Sequence, residues 1–302
     1  MTPVEVTRRA GDDAPAIAAL ITAAARTLGH RPLDDDSWAA LSSGRQSGFA
    51  GFVARAAPGA KIVGYAQVDR RPGSWDLSYV LDPGVGHPSR VGRALGHVVL
   101  DLVRAEGGGH VRLWVRPPTA TSEEIASSLG LAAGRDLYEM RRPLPLGREA
   151  LLASATRPFR VGRDEPAFLE LNNRAFASHP DQGSWSLSML AERERQPWFD
   201  PQGFLVGEKD GRMIAFCWAK VHEGDPPLGE IYALGVDPAA QGRGLGGGML
   251  RAGLAWLAGK GLHEAMLYVD ADNDRAVRLY RAAGFVVDRT DRAYVGEVAP
   301  SQ

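Results

Sequence analysis

Two stretches of this chain repeat one another at a fixed distance. Leu113-Trp114-Val115 and Leu267-Tyr268-Val269 lie 154 residues apart, and so do Leu129-Gly130-Leu131 and Ala283-Gly284-Phe285, so no gap is needed between those anchors. Upstream, Leu81-Asp82-Pro83 and Val236-Asp237-Pro238 lie 155 apart, a slip of the kind that loops absorb. A repeat of that length is enough chain for one domain, so the 302 residues read as two copies of one unit. The proline-punctuated stretch 141–156 serves as linker and sets the domains at 1–145 and 155–302.

Hydrophobic period and turn residues give both copies the same order of elements. The first reads as strand 4–9, helix 13–28, a short helix 35–41, strands 49–57, 61–69 and 75–81, helix 89–105, strand 111–115, helix 121–129 and a strand pair around 135–142. The second reads as strand 159–163, helices 165–176 and 186–193, strands 204–208, 212–222 and 229–236, helix 243–258, strand 265–269, helix 274–283 and closing strands after Phe285. Strands mixed with helices in this way predict an α/β (α+β) fold with a mixed sheet in each of two tandem domains.

Composition narrows the function. Lys plus Arg total 35 against 36 Asp plus Glu, a net charge of −1, which lacks the basic footprint of a nucleic-acid binder. The longest apolar run, 213–219, is far short of the ~20 residues of a membrane span. The start MTPVEVTRRA has no apolar signal-peptide core, so a cytoplasmic protein that avoids membranes and functions as a monomer is expected. Cys217 is the only cysteine, which rules out an intrachain disulfide and a multi-cysteine zinc site. Its setting, MIAFCWA, is that of a buried core thiol. The 7 histidines show no HExxH spacing, and no metal is expected.

The most informative segment runs from Glu230 through Leu234-Gly235-Val236 to Asp237-Pro238 and then Gln241-Gly242-Arg243-Gly244-Leu245-Gly246-Gly247, which opens a helix striped with Leu250, Leu254 and Leu257. Glycines let backbone N–H groups converge without side-chain obstruction, and a helix start adds partial positive charge; both favour a phosphate. Gly242, Gly244 and Gly247 also satisfy the G-x-G-x-x-G of dinucleotide-binding folds, with Asp270 ending the next strand. Against that reading, Asp237–Gln241 separate the strand from the glycines, and only 32 residues follow Asp270, too few for the remaining units of a doubly wound sheet.

Gln-x-x-Gly-x-Gly after a Val-Asp-Pro turn resembles motif A of the GNAT acetyltransferase superfamily. Asn273-Asp274-Arg275-Ala276-Val277-Arg278-Leu279-Tyr280 with Ala283-Gly284-Phe285 resembles its motif B. The resemblance implies acetyl-CoA as co-substrate, its pyrophosphate on the amides of residues 241–247, its pantetheine arm along Leu234–Val236, and motif B, Asn273–Arg278, beside it. Acyl transfer to an amine needs a proton acceptor for the ammonium and a proton donor for the departing thiolate. Glu230, at the start of the strand leading to the phosphate turn, suits the first task, and the Tyr280 phenol suits the second. In the first copy Thr119 stands opposite Asn273, Glu124 opposite Arg278 and Ala126 opposite Tyr280, and Ser89-Arg90-Val91-Gly92-Arg93-Ala94 replaces the clean glycine turn. The first domain is therefore expected to keep the fold, and weak CoA binding through Tyr79-Val80-Leu81, without chemistry.

Nearly the whole chain resembles a tandem-domain branch of that superfamily whose members acetylate the cysteinyl amine of a cysteinyl-glucosaminyl-inositol to complete mycothiol. The likeness is sharpest in residues 172–177, 179–185 and 218–222. It implies acceptor contacts at Asp35, Asp181, Lys220, Glu230 and Tyr268, with Asp34 and Asp36 as alternatives for Asp35. Asp181 stands where the family usually has Glu, one methylene longer. Two other readings stay open at this stage: a GNAT enzyme for another small amine or a protein N-terminus, and a non-catalytic acyl-CoA-binding regulator.

Overall fold

The computed structural model describes residues 4–33, 37–38, 40–41, 48–71, 73–145, 147, 155–177, 179, 182–224 and 226–301. The chain divides into two compact units, residues 1–136 with 290–302, and residues 137–289.

In the first unit, strands β1 (Glu5–Arg8), β2 (Phe49–Arg55), β3 (Ile62–Arg71), β4 (Ser74–Leu81) and β5 (Gly109–Val115) lie in sheet order β1-β2-β3-β4-β5. Every neighbouring pair is antiparallel except β4 and β5, which run parallel through Trp75, Asp76 and Leu77. Ile17, Leu20, Ile21 and Ala24 of helix Ala14–Leu28 recur at steps of three and four and fill the core on one face. Val91, Leu95, Val99 and Val103 of helix Pro88–Ala105, with Ile125 and Ala126 of helix Ala120–Ser128, fill the other.

The second unit repeats this plan with the tail of β6 (Ala132–Pro143), then β11 (Glu264–Asp270), β10 (Leu228–Val236), β9 (Arg212–His222), β8 (Phe204–Lys209) and β7 (Arg157–Pro158). Successive strand residues point to opposite faces. Phe216 and Trp218 thus meet Phe168 and Leu171 of helix Glu165–Ala175 and Leu190 of helix Leu187–Glu194. Ala215, Cys217 and Ala219 meet Leu250, Leu254 and Leu257 of helix Leu245–Gly259 and Tyr280 of helix Asp274–Ala282. This two-sided burial explains the unbroken apolar run in β9. It also makes Cys217 an inert core thiol, with burial pushing it up to about 12.

Atomic detail repeats along with the sequence. Asp82 and Asp237 each accept the N–H of the second residue on, from Gly84 and Ala239, both at 2.9 Å. Thr119 and Asn273 each cap a helix by accepting the N–H three residues later, from Ser122 at 3.2 Å and Ala276 at 3.1 Å. The same helices end alike, with Leu131 N–H bonded to Ala126 O and Phe285 N–H to Tyr280 O.

The last strand of each copy departs from the linear division at 1–145 and 155–302. Leu137–Pro143 of β6 pair antiparallel with Asp270–Glu264 of β11, inside the second unit. Arg292–Val298 of β12 (Val286–Val298) pair with Val115–Gly109 of β5, inside the first. The pairs Leu267–Met140 and Leu113–Tyr294 are related by the same shift of 154 residues as the sequence anchors, so the copies have exchanged equivalent strands. Met140 and Leu144 consequently belong to the second unit's core, and Tyr294 and Val298 to the first's.

Two local expectations change. Each copy closes with one long strand, β6 or β12, where the sequence suggested more than one. The strand expected at 159–163 is a turn instead. Asp164 accepts the Arg160 N–H at 2.8 Å and the Arg157 guanidinium, folding the chain directly into the next helix, and only Arg157–Pro158 pair in the sheet. Of the short helix expected at 35–41, residues 37, 38, 40 and 41 are described, and all four are helical.

Candidate active site

Strand β10 carries the proposed chemistry, and its shape follows from one extra residue. Opposite β9, Ile231 pairs with Ala219 and Ala233 with Trp218, which leaves Tyr232 as a bulge. A bulge bends and twists its strand. Toward β11 the parallel pairing consists of Gly229 with Ala265 and Glu230 with Met266, and stops there. Glu230 is thus the last residue before β10 and β11 part. Leu234, Gly235 and Val236 lie beyond the parting, with Leu234 and Val236 half-buried. The β10–β11 ladder does not extend to them.

Past Val236, Asp237 and the turn Pro238–Ala240 redirect the chain, and Gln241 ties the turn down by donating from Nε2 to Val236 O at 3.2 Å. Arg275 of the motif B helix donates to Gln241 Oε1. Gly242 and Gly244 both hold φ near +80°, at 78° and 79°, and a Cβ on either would meet nothing within 4 Å. These glycines therefore open a hollow rather than accommodate a tight contact. The first helical bond runs from Gly248 N–H to Gly244 O, so the N–H groups of Leu245, Gly246 and Gly247 precede it. An open, glycine-walled bend with converging amides fits a diphosphate. Gly244→Val would put a branched side chain into that hollow at a backbone angle it rarely adopts. Acetyl-CoA affinity by calorimetry is expected to fall about a hundredfold or more, and undiminished affinity would place the cradle elsewhere.

The first unit differs at the same place. Its helix starts with Pro88, which has no N–H, and the Arg90 and Val91 N–H groups are bonded to His87 O at 3.1 and 3.3 Å. The Glu124 carboxylate accepts from Ser89 at 2.6 Å and pairs with Arg93 at 3.5 Å, beside a hollow of about 300 Å³ lined by His87, Ser89, Arg90, Arg93 and Glu124. A fixed carboxylate stands where the second unit has the exposed Arg278. Tyr79, Val80 and Leu81 end β4, which has no bulge against β3. Ala126, opposite Tyr280, is fully buried.

Around Glu230 the second unit assembles a compact polar cluster. Glu230 is 6% exposed and Lys220, directly opposite on β9, is 5% exposed. Their charged ends are 3.9 Å apart, and the Lys220 ammonium lies over the rings of Trp198 at 4.7 Å and Tyr232 at 5.7 Å. A lysine that would by default lie on the surface is therefore an interior one, wrapped by aromatic faces. His222 Nε2 lies 2.7 Å from Glu230 Oε2. Tyr268 on β11 is 41% exposed, and its hydroxyl donates to Glu139 Oε2 at 3.2 Å. Glu139 is 2% exposed and is held by Arg141 and Arg289.

Tyr280 sits in the core under the motif B helix, edge to face with Phe285, and burial pushes its phenol above the ordinary tyrosine value. It stays protonated at working pH. Asn273 caps that helix, Asp274, Arg275 and Arg278 are exposed on it, Ala276 is half-buried, and Val277 turns into the core. Arg243 is exposed beside the glycine turn. Asp35 and Asp181 lie outside the described residues. Trp185 is a core residue, whereas Trp198 faces Lys220. Sequence reasoning missed His222, although strand alternation puts it on the same face as Lys220. It also missed Glu139, which the first copy donates through β6. Among the described residues no cluster of side chains could hold a metal ion, and no helix is long and apolar enough to cross a membrane.

Comparison with known proteins adds the following. Residues 166–285 match the acetyltransferase (GNAT) family. A mycothiol acetyltransferase from Thermobispora bispora is 43% identical over 299 residues, covering 96% of this chain and 98% of that protein. Among solved structures, a GCN5-related N-acetyltransferase from Sphaerobacter thermophilus superposes with a TM-score of 0.75 at 24% identity, over 99% of this chain and 97% of that one. A tandem GNAT protein from the clavulanic acid biosynthesis pathway superposes with a TM-score of 0.70 at 16% identity, over 99% of this chain and all of that one. These two structures share the fold.

Proposed function

Because this chain belongs to the mycothiol acetyltransferase family, we propose that its second unit transfers the acetyl group of acetyl-CoA to the cysteinyl amine of cysteinyl-glucosaminyl-inositol, giving mycothiol. The observation that carries the reading is Glu230: a buried carboxylate at the last paired position before β10 and β11 part, on the strand that leads into an open glycine bend.

In this reading Glu230 takes a proton from the acceptor's ammonium, freeing the nitrogen lone pair for attack on the thioester carbonyl. An α-ammonium has a reference pKa of ~7.7–8.0, so the proton to be removed is only moderately held. The backbone of Leu234–Val236 and the amides of residues 241–247 hold the co-substrate, flanked by Asn273–Arg278. Tyr280 returns a proton to the departing sulfur. Tyr280→Phe is expected to lower kcat about a hundredfold with little change in the acetyl-CoA KM, as measured by thiol release. An unchanged rate would remove the phenol from the mechanism.

Lys220 and Tyr268 supply polar contacts to a polyhydroxylated acceptor, with Asp35 and Asp181 as further contacts. The first unit is scaffold in this reading, its cradle bordered by the Glu124 carboxylate, with no more than weak CoA binding along Tyr79–Leu81. A hydrophilic acceptor and acetyl-CoA suit a cytoplasmic enzyme. The test is acetyl-CoA consumption against a panel of amines that includes the cysteinyl pseudodisaccharide. A kcat/KM for that acceptor well above those for aminoglycosides and peptide N-termini is expected. Equal or lower values would reassign the acceptor.

A further inference from the structure

Glu230 does not act from a rigid side chain. The terminal torsion of a glutamate is broad, so its own rotamer does not fix where the two oxygens point. Proton transfer, in contrast, requires the accepting oxygen within hydrogen-bond reach of the ammonium, and small misplacements are costly. Something on the protein must orient the carboxylate.

Two neighbours on β9 are available. Lys220 Nζ, at 3.9 Å, is within ion-pair range but beyond a hydrogen bond, and its ammonium is also engaged by the Trp198 and Tyr232 rings. His222 Nε2 is at 2.7 Å from Oε2, the length of a charge-assisted bond. The ladder explains how it gets there. Glu230 pairs with Lys220 and Leu228 with His222, so His222 and Glu230 are diagonal neighbours on one face, within reach of long side chains. A carboxylate only accepts hydrogen bonds, so the nitrogen facing it is the protonated one.

We propose that His222 is a positioning residue for Glu230. Its Nε2–H anchors Oε2 and leaves Oε1 to receive the acceptor's proton. In that step an ammonium N–H bond breaks, its electron pair stays on nitrogen, and an O–H bond forms at Oε1. The proton on His222 Nε2 stays where it is. The inference rests on Glu230 being the base, and it adds a second side chain to the machinery that sequence reasoning left out. His222 ends β9 with its side chain 25% exposed, so substitutions there perturb little packing.

The full-length enzyme tests this by steady-state kinetics with the cysteinyl pseudodisaccharide. His222→Leu removes the donor at similar bulk and is expected to lower kcat about 10- to 100-fold, the effect of losing a hydrogen bond to a charged group, with the acetyl-CoA KM unchanged. His222→Gln, whose amide N–H reaches a similar point, is expected to restore most of that loss. In a Glu230→Gln background His222→Leu should cost nothing further, because residues that act as a unit are not additive. A kcat for His222→Leu within twofold of the parent, a His222→Gln variant as slow as His222→Leu, or a full additional loss in the Glu230→Gln background would each overturn the proposal. Should His222→Leu fail to fold by circular dichroism, His222→Asn, whose amide is too short to reach, takes its place with the same expectations. If Glu230→Gln itself retains the parent rate, the base assignment fails first, a result distinct from any of these.

Discussion

Glu230→Gln is expected to lower kcat about 10²- to 10³-fold while leaving the acetyl-CoA KM close to its parent value. The substitution keeps the volume of the side chain and an oxygen that can still accept from His222, so the fold and the cluster with Lys220 should survive. What disappears is a lone pair basic enough to take the ammonium proton. Raising the pH should restore part of the rate, because the acceptor then arrives increasingly as the free amine and needs no base. Acetyl-CoA turnover across the range of pH ~6.5–9.5, which brackets the α-amine reference value, checks both statements. A variant within tenfold of the parent at neutral pH would show that the carboxylate has another purpose.

The second large effect concerns the fold. An isolated 155–302 piece is expected not to fold, even though it contains the whole GNAT-like sequence motif. Its β11 would lose all of the pairing that Leu137–Pro143 provide, together with Met140, which is fully buried. Burying a methionine is worth about 1.5–3 kcal/mol, and an unpaired apolar strand edge invites aggregation. Net domain stability is only about 5–15 kcal/mol, so the combined loss is a large share of it. A 1–145 piece suffers the reciprocal loss, without the β12 residues that pair with β5 or the buried Tyr294. Turnover by a separated first half is therefore no fair test of its activity. Co-expression of the two pieces should recover soluble protein through mutual strand donation. Size-exclusion chromatography and thermal melts would show it. A 155–302 piece melting cooperatively at the full-length temperature would refute the exchange.

Much of the fold and part of the site were legible because local rules and global packing agree. The Asp-Pro turns and the glycine bend each leave a signature in a few adjacent residues, and the structure forms both. The exchange left no trace. The repeat reads the same whether β6 completes its own copy or the other, since equivalent strands carry equivalent patterns. Glu139 was hidden for that reason, being encoded among first-copy residues. Lys220 was ambiguous for another: a lysine in a strand usually faces solvent. Its burial depends on Trp198, more than twenty residues away in the chain, and on the bulge at Tyr232.

The exchanged strands also reverse the order in which this protein can be completed as it is made. Domains ordinarily close from the N-terminus as the nascent chain emerges, at about 5–20 residues per second. Here the unit encoded second, residues 137–289, has all its strands before synthesis ends. The unit encoded first waits for residues 290–298, which follow the whole of the other unit in the chain. Until then β5 presents an open edge, so a stop codon just after Arg289 would strand the earlier-translated unit and spare the later one.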